Sequence, residues 1–257
     1  MTINYNQRYQ QGYMTDFSDL YEACRLTAVQ EILHSKRIFP TTPHVILDIA
    51  CGQGRYIPFL KNAFPNCQII GMDISLTGLV LAQQAFSAHH FATAMSEALP
   101  LSDKSVDMIF SIETLEHVFD VRATIQAWSR MLKPGGKILM TTPCANKFSL
   151  EWTLMYLSNG LESSTDGYGR FRRDEPGHLR RLNSNHVREL FAEAGLKIIE
   201  EYFRTHLFTT IAHDSIPYRY RKSRKLKRLA YWLASLDWLL FRRLPNGASM
   251  LVVAEKI

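Results

Sequence analysis

The sequence predicts an α/β fold built on a doubly wound, mainly parallel sheet, and three observations carry that expectation. Short apolar runs alternate with segments of helical period from residue 45 onward, as βαβ units require. The first run, Val45-Ile-Leu-Asp-Ile49, leads directly into a turn of small residues, Ala50-Cys-Gly-Gln-Gly54, and then into a helix start. The acidic and polar residues then gather where the runs end: Asp48 to Gly54, Asp73, Ser96-Glu97, and Ser111 to His117. Open α/β sheets bind their ligands at the carboxyl ends of the strands.

In order along the chain, residues 1–15 are polar, carry tyrosines at 5, 9 and 13, and read as an irregular or partly helical arm. Leu20, Cys24, Ala28 and Ile32 recur every four residues, which predicts an amphipathic helix over 16–37. Pro43 breaks the chain before the first strand. A helix follows the glycine turn to about Phe64, where Pro65-Asn66 stops it. The expected strands after that are 68–73, 91–95, 106–111 and 137–142. Helices fall over 77–88, 121–132 and 183–194, and Lys133-Pro-Gly-Gly136 reads as a turn.

Composition narrows the function classes. The chain has 257 residues, 46% of them hydrophobic, enough for one α/β domain with additions. No apolar run is long enough to span a bilayer. The four cysteines, Cys24, Cys51, Cys67 and Cys144, are scattered and read as free thiols, so a cytoplasmic setting is expected. The formal charge is +6, and seven basic residues lie within 219–228, so the rest of the chain is close to neutral. A basic run that short argues against a broad nucleic-acid surface.

The turn at 50–54 admits two ligand readings besides a plain tight turn. A dinucleotide fingerprint needs a third glycine where Ile57 stands. The other reading is D-x-G-x-G-x-G, which Asp48, Gly52 and Gly54 match while Ala50 replaces the first glycine. Further on, Ser96-Glu-Ala-Leu-Pro-Leu101, Asp107-Met-Ile-Phe-Ser111, Leu115-Glu-His-Val118 and Leu132-Lys-Pro-Gly-Gly136 resemble the class I S-adenosylmethionine-dependent methyltransferases in order and spacing. The likeness is greatest to the type 11 branch with the ubiquinone-biosynthesis O-methyltransferases, and it covers roughly residues 40–203 and the last ten.

That resemblance implies a seven-stranded Rossmann-like methyltransferase sheet with its last strand antiparallel, plus helical insertions. Leu196–Glu201 would be strand six and Met250–Ala254 strand seven, all within one domain over 1–257. It implies S-adenosyl-L-methionine as cofactor. Asp48, Ala50, Cys51, Gly52 and Gly54 would cradle its methionine part, Asp73 the ribose diol and Ile74 the adenine face. Backbone groups around Ser96 and Glu97 would read the adenine edge, with Ser111 near the cofactor. Ala50 adds a methyl group where the family has glycine, and Met95 stands where the family often has an acid for the adenine amine.

For chemistry, Glu113, Glu116 and His117 are spaced E-x-x-E-H, which on a helical turn would share one face. Three readings stay open: a divalent cation held by Glu113, Glu116 and His117, a set that a resemblance to metal-binding methyltransferases would complete with His178; a metal-free base role for His117 beside Glu116; or a structural role. The spacing resembles the metal site of ubiquinone O-methyltransferases and of plant small-RNA methyltransferases. The other histidines, such as His186, His206 and His213, lack such context. The expected acceptor is a small or lipid-like molecule methylated at oxygen, with nitrogen, carbon or RNA as alternatives.

Two insertions, 144–176 and 203–247, are expected to form an acceptor lid and wall. Within the second, Leu226, Leu229, Leu233, Leu236 and Leu240 make a seam of the kind a packed helix buries against a sheet or a second subunit. The competing reading for 216–244 is a peripheral membrane helix, since tryptophans and a basic flank suit a lipid surface.

Overall fold

Val45–Ile49 forms the strand on which the sheet is built (β1); its four residues from Ile46 to Ile49 are buried, so neither face meets water. The structure, a computed structural model, describes residues 3–13, 19–215 and 224–257. Before β1 come α1 (Tyr5–Gln10) and α2 (Leu20–Leu33). After it come α3 (Ile57–Ala63), β2 (Gln68–Asp73), α4 (Leu76–Ala85), β3 (His90–Thr93), β4 (Val106–Ile112), α5 (Val121–Met131) and β5 (Leu132–Pro143). The first insertion holds α6 (Leu150–Leu157) and a small ribbon of β6 (Leu161–Glu162) and β7 (Arg170–Phe171). Then follow α7 (Ser184–Glu193), β8 (Leu196–Arg204), α8 (Phe208–Ser215), α9 (Arg224–Phe241) and β9 (Ser249–Lys256).

Seven strands make one sheet in the order β3-β2-β1-β4-β5-β9-β8. The first five are parallel, and β9 runs antiparallel to both β5 and β8. Alternate residues of each strand face opposite sides. Leu47, Ile49, Ile109, Ile138, Met140 and Val252 pack with Trp128 of α5 and Phe191 of α7. Ile46, Met108, Phe110, Leu139 and Val253 pack on the other face with Val29 and Ile32 of α2 and Leu60 of α3.

Helix starts are set by local side chains. Asp19, Ser75, Asp120, Ser149 and Asn183 each accept a hydrogen bond from a backbone N–H of the first turn of α2, α4, α5, α6 and α7. α3 has no side-chain cap and starts instead with Pro58 in its first turn, a place proline tolerates.

The structure departs from the sequence reading at several points. β5 begins at Leu132, so Lys133-Pro-Gly-Gly136 bulges within a strand and shifts the β4–β5 register. Of the arm expected to be irregular or partly helical, Tyr5–Gln10 is helical. The described start of α2 is Leu20, and part of the predicted 16–37 span lies outside the described residues. The basic run lies outside them as far as residue 223.

The leucine seam of α9 is a correction. Ala230, Ala234 and Asp237 face the protein, whereas Leu229 and Leu240 are exposed and Leu226, Leu233 and Leu236 half-buried. The buried side is fixed by its partners. Trp238 Nε1 donates to Glu31 on α2 over 2.6 Å, and the Asp237 carboxylate receives the N–H groups of His206, Phe208 and Thr209 at 2.8–3.0 Å. Among the described residues, no helix is long and apolar enough to cross a membrane.

Candidate active site

The turn after β1 needs left-handed backbone at three positions: Ala50 at φ 58°, Gly52 at 55° and Gly54 at 80°. Glycine adopts this without penalty; at Ala50 it costs on the order of 1–2 kcal/mol. The alanine therefore bears backbone strain as well as carrying an added methyl group. Gly52 has a second reason to lack a side chain: a Cβ there would collide with the Tyr9 hydroxyl.

Asp73, at the end of β2, closes the cradle. One carboxylate oxygen accepts from Gly52 N over 2.8 Å and the other from Ser75 N over 2.7 Å. A carboxylate has about four lone-pair sites, so it pins both loops and keeps acceptor capacity for a diol. Burial pushes its pKa up, against the pull of those backbone donors. Asp48 is 3% exposed, and its Oδ2 has no hydrogen-bond partner among the described residues. Burial, and then the charge of Asp73, push its pKa well up. A buried carboxyl oxygen without a partner beside a glycine cradle fits a ligand that brings cationic and donor groups, as S-adenosylmethionine does with its ammonium and sulfonium.

Other predicted cofactor residues divide. Cys51 is buried, and its N–H joins Met72 O across the strand ends over 3.1 Å. Ile74 is 53% exposed beside Asp73, an uncovered apolar surface suited to a base. Glu97 Oε1 accepts from Phe119 N over 2.7 Å, which fixes this side chain to the turn after β4. Ser111 donates to Thr114 Oγ1 over 2.8 Å inside the turn after β4 and is fully buried. Its hydroxyl is therefore committed to the turn.

The E-x-x-E-H stretch does not form the predicted helical turn. Glu113 has φ 53°, and this left-handed residue turns its side chain away from the other two. Thr141 Oγ1 donates to Glu113 over 2.7 Å, and Arg25 and Arg204 lie 3.6 and 3.8 Å away. Burial alone would raise the Glu113 pKa, but the two guanidinium groups prevail and hold it below the usual range. Glu113 is therefore absent from the cluster that does form, in which ligand atoms of Glu116, His117 and His178 lie within 4.8 Å of one another.

His117 is the best-defined member. Its Nδ1 lies 2.8 Å from the Gly177 carbonyl, an acceptor only, so the proton belongs on Nδ1 and Nε2 keeps its lone pair. That Nε2 lies 3.9 Å from Glu116 Oε1. Glu116 is buried, with Thr142 Oγ1 3.3 Å from its other oxygen; burial and then the Glu113 charge push its pKa well up. Burial pushes His117 down, and burial with the neighbouring His117 pushes His178 down to about 4.

Both imidazoles are thus held neutral, and the sign of the pH effect follows. The folded pKa values lie below the unfolded value of about 6.5, so the unfolded chain takes up protons first as pH falls. Stability is full above about pH 6.5 and is lost toward pH 4, by roughly 3 kcal/mol for His178. Urea unfolding of chelator-treated protein across that range should show the loss, and His178→Asn should flatten it. An unchanged slope in the variant would rule His178 out as the cause.

The sequence reading allowed a partly helical arm at 1–15 but gave it no part in the site. Tyr5 Oη lies 3.1 Å from His117 Nδ1, while Tyr9, one helical turn on, covers Gly52 and Gly78. Asn6 Oδ1 accepts from Ser75 Oγ and Thr77 N at 2.9 and 3.0 Å, and Arg8 pairs with Glu175. One short helix therefore joins the cradle to the histidine cluster. Its signal was present in the tyrosines at 5, 9 and 13, which is helical spacing. The first insertion is tied down from the other side: Arg180 donates to the carbonyls of Val118 and Phe119, and Arg181 pairs with Glu151 and Asp174.

Residues 47–140 match a family model described as a methyltransferase domain. Among curated relatives, the chain is 34% identical over 102 residues to a malonyl-[acyl-carrier protein] O-methyltransferase of Hahella chejuensis, covering 39% of this chain and 37% of that one. It is 28% identical over 160 residues to a ubiquinone biosynthesis O-methyltransferase of Bartonella quintana, covering 59% and 62%. The matches thus span less than two thirds of these relatives' lengths. The PH0226 protein of Pyrococcus horikoshii shares the fold, with a TM-score of 0.62 at 16% identity over 97% of this chain and 99% of that one.

Proposed function

We propose that the chain transfers a methyl group from S-adenosylmethionine to an oxygen of a small-molecule acceptor. The observation that carries this reading is the fixed tautomer of His117. Its Nδ1–H is held by the Gly177 carbonyl, so Nε2 is the basic atom, and α1 links that imidazole to the Gly52–Asp73 cradle. The cofactor, when bound, supplies an activated methyl group on sulfur. The chain's own part is to hold the acceptor, take the hydroxyl proton on His117 Nε2 and keep water out with Tyr5 and Tyr9. Positioning of this kind supplies on the order of 7–11 kcal/mol. The insertion 144–176, anchored through Arg180 and Arg181, forms the acceptor side.

A second reading is favoured by the clustering of Glu116, His117 and His178. One carboxylate and two neutral imidazoles suit a first-row divalent cation. Such a cation would take the place of the base by binding the acceptor oxygen. Melting with and without Mn²⁺ or Zn²⁺ separates the two, since a site of these residues raises the melting temperature and His178→Ala removes the rise.

Cofactor binding is tested by calorimetry with S-adenosylhomocysteine. The wild type should bind, and Asp73→Ala should bind about tenfold to a hundredfold more weakly, the loss of one hydrogen bond to a charged acceptor. A thermal melt of the variant shows whether loss of the Gly52 and Ser75 contacts unfolds it. Absence of binding by the wild type would overturn the assignment.

A further inference from the structure

We infer that the outward face of α9 docks reversibly on an anionic membrane surface. Its composition is reversed from that of an ordinary surface helix. The fully buried side chains of α9 are small or polar, Ala230, Ala234 and Asp237, with Trp238 and Phe241 packed beside them, while those turned to solvent include Leu229 at 47%, Trp232 at 58%, Leu239 at 66% and Leu240 at 59% exposure. These four recur at helical spacing, and half-buried Leu236 lies between them on the same side. A contiguous stripe of large apolar side chains in water marks an interaction surface. Ile211 of α8, the helix packed beside α9 through the Phe208–Phe241 ring contact, is a further 45% exposed.

Charge selects the occupant. The first turns of α9 expose Lys225, Lys227 and Arg228, and the sequence places Arg219, Arg221 and Lys222 just ahead of them. The single acid of the helix, Asp237, is buried and bound to three backbone N–H groups, so it opposes none of this charge. A helix with leucine and tryptophan on one side and cations at one end is complementary to an interface where acyl chains meet anionic headgroups. Tryptophan prefers that depth, and lysine and arginine stems can lie along apolar surface with their charges in the headgroups. The 18 residues of α9 and the lack of a spanning helix among the described residues make the contact one of lying on the bilayer.

The buried side keeps the helix in place without its outward residues. Trp238 and Arg242 hold Glu31 of α2, and Asp237 caps α8. Substitutions on the outward side therefore test docking without removing the scaffold.

The experiment is co-sedimentation of the full chain with phosphatidylcholine vesicles, with and without phosphatidylglycerol, at low and high salt. Binding should require phosphatidylglycerol and fall as salt screens the charges. Each basic residue near the surface contributes about fivefold to partitioning, so Lys225→Gln, Lys227→Gln and Arg228→Gln together should weaken it by about a hundredfold. Trp232→Ser with Leu240→Ser should weaken it at least about tenfold, and both variants should keep the wild-type circular dichroism melt. No sedimentation of the wild type with anionic vesicles at low salt would overturn the proposal. So would a dimer in sedimentation velocity that Trp232→Ser with Leu240→Ser turns into monomers, because a second copy would then cover the face.

Discussion

If the chain acts as proposed, His117→Ala should lower turnover of a hydroxyl acceptor by about a hundredfold to ten-thousandfold, the range of a lost general base, and leave affinity for S-adenosylhomocysteine within about twofold. The two effects separate because the side chain contributes to two places unequally. Its Nδ1–H is spent on the Gly177 carbonyl and its Nε2 faces Glu116, whereas the cradle is held by Asp73, Gly52 and Ser75. The nature of the acceptor sharpens the test. A phenol must lose a proton during transfer, but a carboxylate is already ionised at neutral pH and needs no base. The large loss should therefore appear with phenolic acceptors and shrink to a few-fold with carboxylic ones. Release of S-adenosylhomocysteine with both acceptor types, alongside calorimetry, gives the answer. A parallel loss of cofactor affinity would reassign His117 to holding the site together. His117→Gln is the companion variant, as an amide can still meet the Gly177 carbonyl but takes up no proton.

Asp237→Ala destabilises the protein by about 3–5 kcal/mol, because it strands the three backbone N–H groups of His206, Phe208 and Thr209 that now end on one carboxylate. Asp237→Asn, which keeps one oxygen acceptor and loses the charge, should cost about half as much. The consequence reaches beyond α9, since Asp237 fixes the start of α8 and hence the angle between the two helices. Chemical denaturation in urea measures the loss. A change under about 1 kcal/mol for Asp237→Ala would mean that solvent replaces the carboxylate, and that the joint between α8 and α9 is looser than these bonds imply.

Much of the fold was legible because its signals are local. Val45–Ile49, 68–73 and 106–111 are apolar runs with turn residues at their ends, and a buried parallel strand has no other way to be written. The same locality exposed Asp48, Gly52, Gly54 and Asp73, since a cradle of backbone groups needs residues adjacent in sequence. Tertiary structure decided the rest. Glu113 looked equivalent to Glu116, but a left-handed backbone and two arginines from α2 and β8, 88 and 91 residues away in the chain, drew it out of the cluster. His178 joined His117 because Arg180 and Leu179 tie its loop to the turn after β4. Tyr5 and Tyr9 reached the site from the far end of the chain, which no spacing rule encodes.

The sequence by itself determined that α9 is a two-faced helix, and only the tertiary structure decided which face turns inward. Hydrophobicity alone would bury the leucines. The α8 start needed an acceptor for its free N–H groups, and an unmet buried donor costs as much as a leucine side chain gains by burial. Asp237 supplies that acceptor, and with it Ala230 and Ala234 go inside and Trp232, Leu239 and Leu240 are left facing out.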